Sequence, residues 1–242
     1  MWANISSYDF GESVYWNKIP VLQDAFERYP KAKWIWWMDI DMLLMNHNLE
    51  TWQHMLSPEG MLKNIEFDKP LIKAGGDSLN ISTPAKMNTE DVNFLITSDA
   101  NGINMGNFFM RRGVWADWLL EMWADPLLIH GNWTYPEQEG FVHLYKNHKI
   151  VRDHVGHVNQ NSLNPYPEYN PLGEHWKTGD PYLHFAGCYQ LIDECPENLQ
   201  KYWDLKEHYE VPSWITQQLA DGRAHIEDVQ KNSLHINRAM SD

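Results

Sequence analysis

The sequence predicts an α/β fold with a binding site at the carboxyl ends of its strands. Three observations carry that expectation. Short β-prone apolar runs alternate with segments of helical periodicity, the runs close on small or acidic residues, and no internal repeat or low-complexity tract interrupts them. Residues 17–29 place Ile19, Leu22, Ala25 and Phe26 at helical spacing, with Pro20 in the first turn and Pro30 as the stop, which predicts an amphipathic helix. Trp34 to Met38 is an uninterrupted apolar run of the kind that forms a buried strand, and it ends abruptly at Asp39-Ile40-Asp41 before Met42 to Met45. Further strands are expected at Pro70 to Ala74, Asn93 to Thr97 and Asn107 to Met110. Helices follow at Gly113 to Trp123, with Trp115, Leu119, Leu120 and Trp123 along one face, and at Gln138 to Lys146. Residues 159–181 hold Pro165, Pro167, Pro171 and Pro181, which predicts a long irregular loop. The 242 residues read as a single domain, 1–242, whose end from about residue 221 is polar.

Net charge of −14 excludes a broad grip on nucleic acid phosphates, which needs clustered Lys and Arg, and fits divalent cations or neutral polar substrates better. No stretch reaches the roughly 18 apolar residues of a membrane span. Cys188 and Cys195 can close a small loop but cannot supply a cysteine-based zinc site. Asn-x-Ser/Thr sequons at Asn4, Asn80 and Asn132 point weakly to a secretory lumen.

Asp39 and Asp41 form an Asp-x-Asp pair, a pattern expected about once by chance in a chain with this Asp content, so its position gives it meaning. Alternate residues of an extended chain point the same way, and two anions at the end of a buried strand gain by sharing a hard divalent cation. The bland alternative is a pair of turn-capping carboxylates. His184, in Tyr182-Leu183-His184-Phe185-Ala186-Gly187-Cys188, could complete a two-carboxylate, one-histidine site, although a histidine between Leu183 and Phe185 is more often a core residue. His154-x-x-His157 is a weaker pairing. Asp99 to Asn107 packs Asn101, Asn104, Gly102 and Gly106 into one stretch, where amides suit sugar hydroxyls and glycines admit a ligand to the backbone. On composition alone the same stretch reads rather as a tight turn. Glu137-Gln138-Glu139, after Pro136, has the plain reading of a helix start.

Together these residues resemble glycosyltransferase family thirty-four, the fungal galactosyl- and mannosyltransferases related to plant xyloglucan xylosyltransferases. The resemblance rests on Trp16 to Pro20, Trp34 to Asp41, Asn101 to Phe109, Pro136 to Glu139 and His184 to Cys188, in family order over about residues 10 to 200. It implies a GT-A type nucleotide-diphospho-sugar transferase fold, with the first β-α unit of that fold absent ahead of Trp16. It implies a retaining, manganese-dependent enzyme of the Golgi lumen, membrane-anchored at full length, that moves galactose or mannose from UDP-galactose or GDP-mannose to a glycan or mannan acceptor. Carried over by position, Asp39, Asp41 and His184 would hold Mn2+. Asp99, Asn101, Asn104, Gly106 and Gly187 would join Asp39 and Asp41 around the donor, and Gln138 and Glu139 would stand at the reacting carbon. Met105 and Asn107 replace smaller residues common in the family, and Glu139 stands where aspartate is common. Two alternatives accompany this reading: a xylosyltransferase, and a non-catalytic subunit of a Golgi glycan-polymerising complex.

Overall fold

The computed structural model describes residues 13–73, 75–188 and 195–206. The Asn4 sequon and the polar end from about residue 221 lie outside the described residues. Among these residues no helix is long and apolar enough to cross a membrane.

The expected mixture of strands and helices is present. Helix α1 runs Lys18–Arg28 and buries Ile19, Leu22, Ala25 and Phe26, as its periodicity requires, and the chain leaves it at Tyr29 before Pro30. Strand β1, Trp34–Met38, leads through a turn to β2, Met42–Leu44. Helix α2, Pro58–Asn64, takes its cap from Ser57, whose hydroxyl accepts from Gly60 N. Strands β3, Pro70–Ile72, and β4, Ser78–Ser82, form a small antiparallel pair. Strands β5, Phe94–Asp99, and β6, Gly102–Arg111, make a hairpin, followed by α3, Val114–Trp123, α4, Pro126–Ile129, α5, Pro136–Asn147, and α6, Lys149–Arg152. Strand β7, Val155–His157, helix α7, Gln160–Leu163, strand β8, Tyr182–His184, and helix α8, Cys195–Leu205, complete the described elements.

The main sheet has the order β1-β6-β5-β7, with β6 antiparallel to both of its neighbours and β7 parallel to β5. In β1 the alternation of a strand divides the aromatic residues between two cores. Ile35 and Trp37 face a core shared with α1, α3 and α5, where Trp37 stacks on Phe108. Trp34 and Trp36 face a second core with Met42, Phe109 and Tyr182, and Trp36 lies 5.3 Å from both Phe109 and Tyr182. Apolar layers on both faces account for the continuous apolar run of β1, but the strand is not buried as the run suggests: it is the edge strand of the sheet, with Trp34 to Trp37 half-buried and Met38 exposed.

Two expectations change. The stretch from Asn101 to Gly106 is not a loop before a strand at Asn107: the turn is confined to Asp99–Gly102, and Gly102 to Arg111 is one strand. The carboxylate of Asp99 caps that turn by accepting from Asn101 N at 2.6 Å. Gly102 has φ +99°, and a Cβ there would lie 2.6 Å from Ile72 O, so both conformation and space call for glycine. The second change concerns β2, which joins β8 in a separate two-stranded ribbon with Met42 opposite His184, Leu43 opposite Leu183 and Leu44 opposite Tyr182.

That ribbon is held by a third core of Leu43, Met45, Leu183, Phe185, Tyr202 and the disulfide between Cys188 and Cys195. Closing a loop of this size restricts the unfolded chain by roughly 2.5 kcal/mol. Replacing both cysteines with serine is therefore expected to lower the urea-unfolding free energy by about 2 to 3 kcal/mol, and a loss under 0.5 kcal/mol would remove the disulfide from the stability of the ribbon.

His157, at the end of β7, does not pair with His154. It is buried, with its ring against Tyr145, while His154 bonds Asp91 O. Burial drives the His157 pKa down from 6.5 to about 3, with the charge of Lys69 acting in the same direction. The unfolded chain takes up this proton near 6.5 and the folded chain does not, so the contribution is fully present above pH 6.5 and is lost as pH falls from there towards 3. Urea unfolding across that window should give a slope steeper for the wild type than for His157→Gln, by up to about 1.4 kcal/mol per pH unit. Equal slopes would show that His157 titrates normally in the fold.

Candidate functional site

Asp39, Asp41 and His184 meet where the main sheet passes into the β2–β8 ribbon. One ligand atom from each lies within 4.8 Å of the others. Asp39 continues the pairing of β1 by one bond, its N–H donating to Gly106 O at 2.8 Å, and the chain then turns through Ile40 and Asp41. The two carboxylates thus converge across a turn, not by the strand alternation expected of an extended segment, and Ile40 between them is 90% exposed. Phe185 N donates to Asp41 O at 2.8 Å, which draws the start of the ribbon onto the strand carrying His184.

His184 is buried. Its Nε2 lies 3.4 Å from Asp41 Oδ1, and its Nδ1 has no hydrogen-bond partner among the described residues. Its ring rests edge-on against Tyr166 and directly over Gly106, where a Cβ would lie 2.3 Å from Cε1. Burial pushes the Asp41 carboxyl up, but the hydrogen bond and positive charge at His184 outweigh burial and hold its pKa below the usual range. Two carboxylates and an imidazole with an orphaned buried nitrogen form a donor set that could hold a metal ion.

Of the expected donor residues, Asn104 and Gly106 stand on the adjoining part of β6, Asp99 ends β5 and Asn101 lies in the turn between the two strands. Asn104 donates from Nδ2 to Asp99 Oδ2 and to Tyr166 Oη, both at 2.9 Å, and accepts from Gly106 N at 2.8 Å. The Tyr166 hydroxyl also donates to Asp99 Oδ2. Burial raises the Asp99 pKa, although the bonds from Tyr166, Asn104 and Asn101 N pull against that rise. Burial likewise drives the Tyr166 phenol well above its usual range, and the neighbouring Asp99 reinforces the effect. Gln138 reaches the same strand from α5, its Oε1 accepting from Met105 N at 3.2 Å. Glu139 points elsewhere: its Oε2 accepts from Thr134 N and Tyr135 N at the start of α5. Gly187 has φ +67° in the exposed turn just after β8.

Three residues join this site without having been selected from the sequence. Lys18, 4% exposed, donates from Nζ to Met105 O at 2.8 Å and Glu137 Oε1 at 3.0 Å, and lies 3.7 Å from Asp39 Oδ1. Burial opposes its charge, but Asp39 and Glu137 outweigh burial and raise its pKa, so Lys18 stays an ammonium. Trp37 Nε1 donates to Asp39 Oδ1 at 2.5 Å, and Tyr166 closes the site over His184 and Asp99. One signal was available: Lys18 shares the apolar face of α1 with Leu22 and Ala25, and a lysine there requires an anionic partner. Tyr166 lies in the Pro-rich segment, where no periodicity distinguishes one residue from another.

The chain is 34% identical over 201 residues to an uncharacterized alpha-1,2-galactosyltransferase of Schizosaccharomyces pombe, covering 83% of this chain and 53% of that protein. An alpha-1,2-galactosyltransferase of the same yeast is 34% identical over 226 residues, covering 92% of this chain and 58% of its own length. A probable alpha-1,6-mannosyltransferase, MNN10, of Saccharomyces cerevisiae is 29% identical over 212 residues, covering 83% of this chain and 52% of that protein. The chain therefore spans about half the length of the curated relatives it matches. Among solved structures, a glycosyltransferase involved in the glycosylation of the major capsid of PBCV-1 superposes with a TM-score of 0.49 at 16% identity, covering 78% of this chain and 75% of that one. The profile of one family covers residues 2–195, including every site residue described above, and the chain belongs to that family, the galactosyl transferase GMA12/MNN10 family.

Proposed function

We propose that this chain forms the catalytic part of a retaining, divalent-cation-dependent hexosyltransferase that moves galactose or mannose from a nucleoside diphosphate sugar to a glycan acceptor. The observation that carries the reading is the Asp39–Asp41–His184 cluster beside a strand of amides and glycines. Mn2+ held by these three side chains would neutralise the charge that develops on the departing diphosphate. Gly106 keeps the backbone low beside His184, which leaves room for the donor to approach. Asn104 and Asp99, locked by Tyr166, offer fixed polar atoms to sugar hydroxyls. Gln138, tied to Met105 N, is held against the same strand and can orient the sugar at its anomeric carbon.

The bond from the anomeric carbon to the diphosphate oxygen breaks, and the acceptor hydroxyl forms its bond on the same face and gives its proton to a diphosphate oxygen. An amide at Gln138 is too weak a nucleophile for a covalent alternative. Glu139, occupied with two backbone amides, serves better to set the start of α5 than to attack. UDP-galactose and GDP-mannose are the donors we favour, because the relatives bear galactosyl- and mannosyltransferase names. The disulfide and the exposed Asn80 and Asn132 sequons support an oxidising secretory lumen, in keeping with a Golgi enzyme.

With Mn2+ and the matching nucleotide at about 100 times Kd, the melting temperature should rise on the order of 5 to 10 °C. UDP and GDP tested separately name the base. The rise should vanish in Asp39→Ala/Asp41→Ala and in Gly106→Ala, whose added methyl displaces His184. A rise that persists in both variants would refute the cation assignment.

Gln138→Ala should lower kcat about 10- to 100-fold while leaving the nucleotide-dependent stabilisation in place, because Gln138 acts on the sugar and not on the diphosphate. Wild-type turnover in that variant would remove Gln138 from the reaction.

A further inference from the structure

The hydrogen bond from Trp37 and the nearest approach of Lys18 both fall on one oxygen of the Asp39 carboxylate. Oδ1 accepts from Trp37 Nε1 at 2.5 Å and lies 3.7 Å from Lys18 Nζ, and no described hydrogen bond uses Oδ2. An ammonium has only three N–H donors, and those of Lys18 are directed at three different parts of the site. One goes to Met105 O on β6, one to Glu137 on α5 and one towards Asp39 after β1. The ammonium also sits 5.1 Å from the centre of the Trp37 ring, so the two groups that meet Oδ1 brace each other. Neutralising a buried lysine needs one carboxylate, and Glu137 at 3.0 Å already supplies it. The reach to Met105 and Asp39 is additional, and it ties together the cation ligand, the strand of Asn104 and Gly106, and the helix that carries Gln138.

We propose that Lys18 and Trp37 are positioning residues that clamp Asp39 Oδ1, fixing the rotation of the carboxylate so that Oδ2 is left for the cation, while Lys18 keeps that ligand in register with the donor strand and the start of α5. The inference rests on the assignment of Asp39 as a cation ligand. Neither residue touches the reacting atoms. Groups that orient a ligand in this way typically change metal affinity by about 10- to 100-fold when removed.

Charge must be held constant in the test, because deleting Lys18 alone would also make the site more negative. The double variant Lys18→Met/Glu137→Gln removes one charge of each sign and roughly preserves volume. Metal-free protein would be titrated with Mn2+ alone, with free Mn2+ followed by electron paramagnetic resonance and folding checked by urea unfolding. The expected result is a Kd raised about tenfold or more in the double variant. Glu137→Gln alone keeps the clamp and should stay within about threefold of wild type. Trp37→Phe removes the second donor without disturbing the ion pair, and should weaken binding more than about threefold even if the double variant does not fold. Binding within about threefold of wild type in every folded clamp variant would overturn the inference and leave Lys18 as the counter-charge of Glu137 only. If Asp39→Ala itself leaves Mn2+ binding unchanged, the cation assignment fails and the inference falls with it.

Discussion

The antiparallel register of β1 against β6 is the constraint on which the site depends. Trp37 opposite Phe108 and Met38 opposite Asn107 place Asp39 beside Gly106, and the bond from Asp39 N to Gly106 O extends that pairing into the turn. Moving either strand by one residue would reverse which side chains face the two cores and would carry Asp39 away from His184. Large aromatic residues make such a slip costly. Trp37 on Phe108 and Trp36 between Phe109 and Tyr182 are fitted to opposite faces of the same strand, so neither core can accept the other's side chains without repacking. The carboxylates are therefore positioned by the packing of the aromatic residues that precede them in β1.

Polar satisfaction then fixes what burial leaves open. Asn107 is fully buried within β6, yet it accepts from Trp36 Nε1 and donates to Leu163 O, so its amide is paired on both sides and connects the main sheet to the segment leading towards β8. Asn104 does the same between Asp99, Tyr166 and the backbone of Gly106. Such residues weaken a strand by propensity but strengthen it when each donor and acceptor is met. The glycine between them is required by contact, since no side chain fits between β6 and the His184 ring.

This division explains which features could be read from the sequence. Strand β1 and helix α1 were legible because burial leaves a periodic signature: a continuous apolar run where both faces are covered, and a 3.6-residue stripe where one is. The first half of β6 was not, because Gly102, Asn104 and Gly106 are poor strand formers and become a strand through pairing with β5 on one side, with only the bond from Asp39 N to Gly106 O on the other. The β2–β8 ribbon was hidden for a different reason. Its partners are about 140 residues apart in sequence, and nothing local to Met42–Leu44 indicates that Tyr182–His184 lies alongside. Asp39, Asp41 and His184 could each be named from its own surroundings, whereas Tyr166 owes its place at the site to tertiary contacts alone, and the apolar face of α1 signals that Lys18 needs an anionic partner without saying which.

Asp39 belongs to the end of the main sheet and Asp41 to the head of the ribbon, so the short turn between them is a seam between two sheets that share the second core, through Trp36, Met42 and Tyr182. A cation held by both carboxylates would act as a rivet across this turn, replacing their repulsion with attraction shared by the end of β1 and the start of the ribbon. Its effect would then be felt as rigidity at the base of the ribbon, in amides such as that of Phe185, whose bond to Asp41 O ties the start of β2 to the end of β8.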